Sequence, residues 1–292
     1  MKACMLCPRK CGADRSIQRG VCGADDQVRV AKIMLHQWEE PFISGTRGSG
    51  TVFFSGCNLG CVYCQNHEIR DGGIGDVYDV AALADAYLKL QQDGAHNINL
   101  VTAAPYVPDV VESLRLAKAQ GLTIPVVYNS SGYECVEAIR SLDGLVDIYL
   151  PDYKYITPLL AQKFSNAPDY AAIASPAITE MYRQVGDLVL DETGVAKRGL
   201  VVRHLILPGC ADDSRKVLDE IVRILPLTTH ISLMSQYTPQ VYTTDFPLNR
   251  KITQREYDRV ISYALSLGLH NILLQTRDSA KSIFTPQFTE QI

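Results

Sequence analysis

The order of apolar and polar positions along the chain predicts alternating strands and helices from residue 50 onward. Short runs rich in β-branched and aromatic residues are each followed by a longer segment with apolar residues at helical spacing. This alternation is typical of βα units around a parallel sheet. Six units are predicted, with strands at 50–56, 98–102, 125–129, 146–150, 200–207 and 230–234. A last strand is predicted at Ile272–Leu274.

Side chains at the ends of several segments predict where helices begin and end. Asp79 is a predicted N-cap, and Thr253 with Glu256 three residues later is typical of a capping box. Pro168 and Pro176 are expected to interrupt the long segment of the fourth unit, because proline lacks the backbone donor and crowds the preceding turn.

Six consecutive units fit two architectures. One is an open doubly wound sheet and the other is a curved, incomplete barrel, and periodicity alone does not separate them. In both architectures ligands lie at the carboxyl ends of the strands. Residues that follow those ends are therefore the candidates for a functional site.

Composition and charge describe an ordinary, mildly acidic chain. The 292 residues include 28 Lys and Arg against 32 Asp and Glu, a net charge of −4, which argues against binding nucleic acid by bulk charge. The start lacks the apolar stretch of a signal peptide, and no apolar run approaches the roughly 18 residues of a membrane span. We therefore expect a cytoplasmic protein without a membrane partner.

The cysteines carry the clearest chemical signal. An odd number, nine, in a chain expected to be cytosolic favours metal ligands or catalytic thiols over disulfides. Seven of them precede residue 65, in two groups: Cys4, Cys7, Cys11 and Cys22, and then Cys57, Cys61 and Cys64.

The second group has the spacing C-x3-C-x2-C and follows the first predicted strand of the sheet. Thiolates this close favour zinc or an iron–sulfur cluster. His67 offers a fourth ligand for a closed structural zinc site. That alternative is less favoured, because it would fill the place where this architecture carries its chemistry. Three cysteines instead leave one iron of a cluster open to a ligand.

The first group places four thiols within nineteen residues, which argues for a closed metal site. Zinc would stabilise a segment too small to fold alone, whereas a second [4Fe-4S] cluster could relay electrons. Both remain open, with free thiols as a third interpretation.

The C-x3-C-x2-C motif, with Tyr63 before its last cysteine and six βα units around it, resembles the radical S-adenosylmethionine (SAM) superfamily. Within it the chain is most similar to the pyruvate formate-lyase activating enzyme group, in a form with an added N-terminal cysteine segment. Further marks of the resemblance are Gln65-Asn66, Asp152-Tyr153-Lys154, Arg203 and Gln236-Tyr237.

The resemblance implies an incomplete parallel (β/α)6 barrel, or partial TIM barrel, with a small N-terminal metal-binding appendage. It implies a [4Fe-4S] cluster on Cys57, Cys61 and Cys64 and an oxidoreductase that reductively cleaves SAM to a 5′-deoxyadenosyl radical. This radical would abstract hydrogen from a backbone glycine of a partner, a glycyl radical enzyme, under anaerobic conditions. The electron donor would be a flavodoxin or a ferredoxin.

The same resemblance implies which side chains contact SAM, and assigns no catalytic side chain of the protein itself. The implied contacts are Tyr63, Thr102, Ala103, Asn129, Ser131, Asp152, Lys154, Arg203 and Gln236. Two departures matter. A Gly-Gly-Glu stretch is replaced by Thr102-Ala103-Ala104-Pro105, which lacks the carboxylate, and a histidine after the sixth strand is replaced by Gln236-Tyr237.

We predict four regions: the N-terminal four-cysteine segment 1–30, a linker or edge segment 31–48, the radical SAM partial barrel 49–276 and a tail 277–292. The segment 31–48 contains Trp38, Glu39 and Glu40, and it either lines the mouth of the site or forms an ordinary edge strand.

Two other functions stay open. One keeps the radical chemistry but acts on a small molecule or another protein side chain. The other is a non-catalytic, zinc-binding interaction protein. The sequence leaves undetermined the substrate, the N-terminal metal, the electron donor and the oligomeric state.

Overall fold

The computed structural model describes residues 3–240, 243, 245–275, 286 and 288. The strands are β1 Val28–His36, β2 Ser49–Phe54, β3 Asp76–Tyr78, β4 Ile98–Val101, β5 Val126–Ser130, β6 Ile148–Pro151, β7 Val189–Leu190, β8 Ala196–Leu205, β9 His230–Met234 and β10 Ile272–Leu274. The helices are α1 Pro41–Ser44, α2 His67–Arg70, α3 Val80–Gln92, α4 Val107–Ala119, α5 Val136–Ser141, α6 Pro158–Ser165, α7 Tyr170–Val185, α8 Ala211–Ile224 and α9 Gln254–Ser266. The predicted tail falls outside the described residues except for Pro286 and Phe288, and the four-region division stays a prediction.

The strands form one sheet whose central part is parallel. Along the sheet the order is β10-β9-β8-β6-β5-β4-β2-β1-β3, with β1 antiparallel to β2 and β3 antiparallel to β1. All six predicted strands, and the last one, are present as parallel neighbours. Among the parallel strands the order follows the chain, without the reversal that defines a doubly wound sheet. Among the described strands β3 and β10 do not pair, so the sheet is open, and the predicted partial barrel is confirmed.

The parallel strands are buried along their length, as expected where both faces of a sheet are covered. Every residue of β2, β4, β5 and β6 is buried. Helices cover the outer face, with α3 packed beside α4 through apolar side chains such as Leu83 and Leu114. This packing fixes the strand ends, and with them the loops that follow.

Local capping chemistry agrees with the predictions. The Asp79 carboxylate accepts a hydrogen bond of 2.8 Å from the backbone N–H of Ala82 at the start of α3. Thr253 and Glu256 form the predicted capping box of α9. Each arrangement satisfies a backbone donor that has no partner within its helix.

The long helical segment of the fourth unit departs from the prediction at one of its two prolines. The chain breaks near Pro168, between α6 and α7, but α7 continues through Pro176. Burial of residues on both sides of Pro176, including Ala174 and Ile178, opposes the cost of the lost hydrogen bond. The expected interruption at Pro176 is therefore wrong.

A close approach between the ends of β5 and β6 requires glycine at position 132. Gly132 has φ +75°, and a Cβ there would lie 2.3 Å from the carbonyl oxygen of Asp152. Gly144 has nearly the same φ, +76°, but a Cβ there would meet nothing within 4 Å. Comparing alanine substitutions at Gly132 and Gly144 therefore separates the cost of backbone strain from the cost of a steric clash.

We expect Gly144→Ala to lower the free energy of unfolding by about 1 kcal/mol, the cost of a left-handed backbone for a residue with a Cβ. Gly132→Ala should cost at least about 1 kcal/mol more, because the Asp152 carbonyl must also move. Denaturant unfolding of the two variants measures the difference. Equal losses would show that this approach does not constrain the strand ends.

Candidate active site

A cavity of about 250 Å³ lies at the carboxyl ends of the parallel strands. It is lined by most of the residues singled out in the sequence: Cys57, Cys61, Tyr63, Cys64, Thr102, Asn129, Ser131, Asp152, Lys154, Arg203 and Gln236. Ala103 does not line it; this residue is buried, and its carbonyl accepts a hydrogen bond from the N–H of Tyr106. His67, the alternative zinc ligand, begins α2 and does not line the cavity either.

The three cysteines of the C-x3-C-x2-C motif reach this cavity from the loop after β2. Burial raises the pKa of Cys57, and the nearby Cys61 raises it further. Burial, together with Cys61 and Cys57, raises the pKa of Cys64 to about 12. The thiols therefore influence one another's charge, and holding them together as thiolates requires a nearby positive charge.

The chemistry of this donor set fits an iron–sulfur cluster, which is held by cysteine thiolates. The Cys61 sulfur also accepts a hydrogen bond of 3.0 Å from the Ser165 hydroxyl, and such bonds tune cluster potentials. Within the described ranges no three or more His, Cys, Asp or Glu side chains already stand in an arrangement that could hold a metal ion. The structure thus shows three thiols on one cavity wall, and their role as ligands is a proposal.

Arg203 organises the polar side of the cavity. Its Nε donates to Asp152 Oδ1 at 3.0 Å, and its Nη2 donates to Asn129 Oδ1 at 2.5 Å. Lys154 Nζ contacts the other oxygen of Asp152 at 2.6 Å. Burial acts to raise the pKa of Asp152, but Arg203 and Lys154 outweigh it, and the pKa lies below its usual value. Asp152 and Lys154 are therefore part of a network rather than an isolated ion pair.

Glu39 completes this network from a distant part of the chain. It follows β1, its side chain is 10% exposed, and its carboxylate lies 3.6 Å from Arg203 Nη1. The same carboxylate accepts hydrogen bonds from the side-chain amides of Asn99 and Asn129. Burial raises the pKa of Glu39, while Arg203 opposes that rise.

Sequence reasoning did not assign Glu39, although the segment that carries it was a candidate for the mouth of the site. The sequence feature that pointed to this segment was the pair of adjacent carboxylates, Glu39 and Glu40, beside Trp38. Both Trp38 and Glu39 line the cavity. Glu39 therefore supplies a carboxylate to a cavity in which the stretch after β4 has none.

Two further features of the cavity were not expected. Thr102 has φ +62°, a left-handed conformation that is rare for a β-branched residue and is often associated with function. The hydroxyl of Tyr63 lies 2.5 Å from that of Tyr155, which contacts Ser165 at 3.0 Å. Tyr63 thus joins the cysteine loop to α6 through a chain of hydroxyl groups.

A buried carboxyl group supports the cavity wall at the end of β5. Glu134 accepts a hydrogen bond of 2.7 Å from the Ser130 hydroxyl and a longer one from Tyr128. Burial raises the pKa of Glu134 from 4.5 to about 7. The folded protein therefore retains a proton here that the unfolded chain releases at lower pH.

Between pH 4.5 and about 7 the folded state binds more protons at Glu134 than the unfolded state, so this group makes stability fall as the pH rises. We expect Glu134→Gln to remove this dependence, because a side-chain amide does not titrate. The amide oxygen can still accept the same hydrogen bonds. Relative to wild type, the variant should gain about 2 to 3 kcal/mol between pH 4.5 and pH 8. Urea unfolding at the two pH values checks this, and parallel pH profiles would contradict it.

Replacing Arg203 tests the charge network. Arg203→Met leaves Asp152 and Glu39 buried without this counter-ion and should cost about 3 to 5 kcal/mol at pH 7. Arg203→Lys keeps the charge and should cost less, although it loses the forked geometry. The cost for Arg203→Met should shrink as the pH falls, because the pKa values of the two carboxyl groups rise when Arg203 is lost, and the groups then take up protons. A pH-independent loss measured by chemical unfolding would argue against the network.

Comparisons with known proteins show which class of protein this chain resembles. Residues 51–172 match the family model of the Radical SAM superfamily. This segment contains the three cysteines of the cavity and runs from β2 into α7. This match covers less than half of the chain, and it shows that this part of the chain is similar to the Radical SAM superfamily.

Two curated proteins are similar to this chain at low sequence identity. The uncharacterized protein MJ0674 of Methanocaldococcus jannaschii is 28% identical over 277 residues, which cover 92% of this chain and 76% of that protein. The pyruvate formate-lyase-activating enzyme of Listeria monocytogenes is 24% identical over 208 residues, covering 65% of this chain and 76% of the enzyme. Similarity to the activating enzyme group is thus present but weak.

Among solved structures, SuiB of Streptococcus suis, described as bound to precursor peptide SuiA, matches with a TM-score of 0.51 and 12% identity. The match covers 75% of this chain, which spans only 46% of the SuiB chain. At this identity the likeness supports the fold alone.

None of the helices in the described ranges has the length and apolar character needed to cross a membrane.

Proposed function

We propose that this protein uses a [4Fe-4S] cluster on Cys57, Cys61 and Cys64, together with SAM, to abstract a hydrogen atom from its substrate. The observation that carries the proposal is that these three thiols line the same cavity, inside the segment that matches the radical SAM family. When bound, the cluster and SAM supply a one-electron cleavage that yields a carbon radical.

The residues of the cavity would bind and orient SAM. SAM carries a carboxylate, an ammonium and a sulfonium group, and the network offers partners of both signs. Arg203 and Lys154 would favour the carboxylate, and Glu39 and Asp152 would favour the positive groups. Further contacts would come from Tyr63, Thr102, Asn129, Ser131 and Gln236, which line the cavity.

Apolar walls would keep water from the reacting groups. Phe53, Leu205 and Met234 line the cavity beside the polar network. Excluding water protects a reactive radical and strengthens the electrostatic contacts of the site. The protein's part in the chemistry is thus to bind, orient and shield the cofactor and substrate.

We further propose that the substrate is a protein, and specifically a backbone glycine of a glycyl radical enzyme. Support comes from the similarity to pyruvate formate-lyase-activating enzymes and from the fold shared with SuiB, whose structure holds a precursor peptide. A flavodoxin or ferredoxin would supply the electron.

The first experiment measures SAM cleavage. The protein is purified without oxygen, reconstituted with iron and sulfide, reduced and given SAM, and 5′-deoxyadenosine is quantified beside iron and zinc. We expect 5′-deoxyadenosine from wild type, none from Cys61→Ala, and unchanged production from Cys135→Ala, whose cysteine does not line the cavity. Zinc without iron and no cleavage would refute the enzyme hypothesis and favour a zinc-binding interaction protein.

A second measurement tests the substrate. Candidate glycyl radical enzymes are added to the active protein, and the protein radical is sought by electron paramagnetic resonance. We expect a radical signal that depends on SAM and is absent with Cys61→Ala. Cleavage of SAM without any protein radical would contradict the glycyl-radical role and favour a small molecule or another side chain as substrate.

A further inference from the structure

The four N-terminal cysteines lie together although they do not line the cavity. Hydrogen bonds from the N–H of Cys4 to Ala13 and from the N–H of Gly12 to Cys4 fold the chain back on itself. A Cβ on Gly20 would lie 3.5 Å from the sulfur of Cys11 and 3.5 Å from that of Cys22. Both sulfurs therefore lie close to the same glycine, and so close to each other.

The surroundings of these sulfurs resemble a thiolate site. The backbone N–H of Arg9 donates a hydrogen bond to the Cys7 sulfur. The backbone N–H groups of Ala13 and Val21 donate hydrogen bonds to the Cys11 sulfur. Backbone N–H groups directed at sulfur are a common feature of metal–thiolate sites. The segment thus brings together thiols and the donors that stabilise thiolates.

This segment also contacts the cysteine loop of the cavity directly. The backbone N–H of Cys57 donates to the carbonyl of Cys22 at 3.0 Å. A Cβ on Gly56, next in the chain, would lie 2.7 Å from that same carbonyl oxygen. The two cysteine groups are therefore joined by one backbone hydrogen bond at a close backbone contact.

Arg9 adds a second connection between the two groups. Its guanidinium donates to the carbonyls of Asn58 at 2.8 Å and of Leu59 at 3.0 Å. It also donates to the Ser165 carbonyl at 3.0 Å and lies over the ring of Tyr133. Arg9, which lies between Cys7 and Cys11, thereby holds the loop that carries Cys57.

We propose that Cys4, Cys7, Cys11 and Cys22 bind one thiolate-coordinated metal centre, a zinc ion or an iron–sulfur cluster, and that this centre holds the Cys57 loop in place through the Cys22 carbonyl and Arg9. Binding would draw the sulfurs into a ligand set that the described side chains do not yet form. The first half of the proposal, that the four cysteines bind a metal centre, does not depend on the proposed function. The second half, that this centre holds the Cys57 loop in place, concerns the Cys57 site and rests on the proposed function.

Metal content tests the first half. In the full chain, the triple variant Cys57→Ala/Cys61→Ala/Cys64→Ala removes the thiols of the cavity, and it should still hold one zinc ion or one iron–sulfur cluster. Adding Cys11→Ser should lower that content at least about tenfold, and adding Cys135→Ala instead should not. Zinc without sulfide identifies the ion, and iron with sulfide and visible absorption identifies a cluster. A triple variant free of both metals overturns the proposal.

Hydrogen exchange tests the second half. In the metal-loaded chain we expect the amide of residue 57 to exchange at least about tenfold faster in Cys11→Ser than in wild type or Cys135→Ala. Exchange in α9 should stay unchanged, which shows that the variant is folded. Removing the metal from the triple variant with a chelator should give the same increase, because that variant has no cysteine at positions 57, 61 and 64. Loss of the N-terminal metal with unchanged exchange at residue 57 overturns the coupling.

The two proposals fail in different ways. If wild type forms no 5′-deoxyadenosine while the triple variant retains its metal, the proposed function is wrong and the N-terminal metal centre stands. If 5′-deoxyadenosine forms and the triple variant binds no metal, the N-terminal centre is wrong and the radical chemistry stands.

Discussion

One largely buried arginine, Arg203, extends the pairing of β6 with β8 and places a positive charge in the cavity at the end of these strands. Beyond the short parallel pairing of β6 with β8, Asp152 pairs with Arg203, and the N–H of Tyr153 donates to the Arg203 carbonyl at 2.7 Å. The Arg203 side chain then turns into the cavity and holds the Asp152 carboxylate. Because a buried charge is tolerated only with partners, the position of Arg203 constrains every polar group around it.

The balance of charge at this site has a consequence for ligands. Two cations, Arg203 and Lys154, lie among the carboxylates of Asp152, Glu39 and Glu40, and burial raises the pKa of both glutamates. A ligand with positive groups would favour their ionised forms, and a ligand carboxylate would compete for the cations. The network is thus suited to a ligand that carries both a carboxylate and positive groups, as the proposed ligand SAM does.

The cysteine loop is held from two sides. Within the barrel, Tyr63 connects it through Tyr155 and Ser165 to α6. From outside, the N-terminal segment contacts it through the Cys22 carbonyl and Arg9. A loop that presents three thiols needs such support, because the surroundings of a metal site orient its ligands.

The sequence by itself determined the parallel βα architecture and most of the cavity lining, because strand and helix periodicity and motif spacing are local properties of the chain. Successive side chains of a strand point to opposite faces, so Arg203 faces the cavity whereas His204, next to it in β8, lies against Tyr153 and Ser214. Only the tertiary structure decided that Pro176 stays within α7, that Glu39 meets Arg203 and that Arg9 contacts the Cys57 loop. Helix packing overrides local propensity in the first case. The other two contacts join residues far apart in sequence, and a local sequence pattern does not show which distant residues the fold brings together.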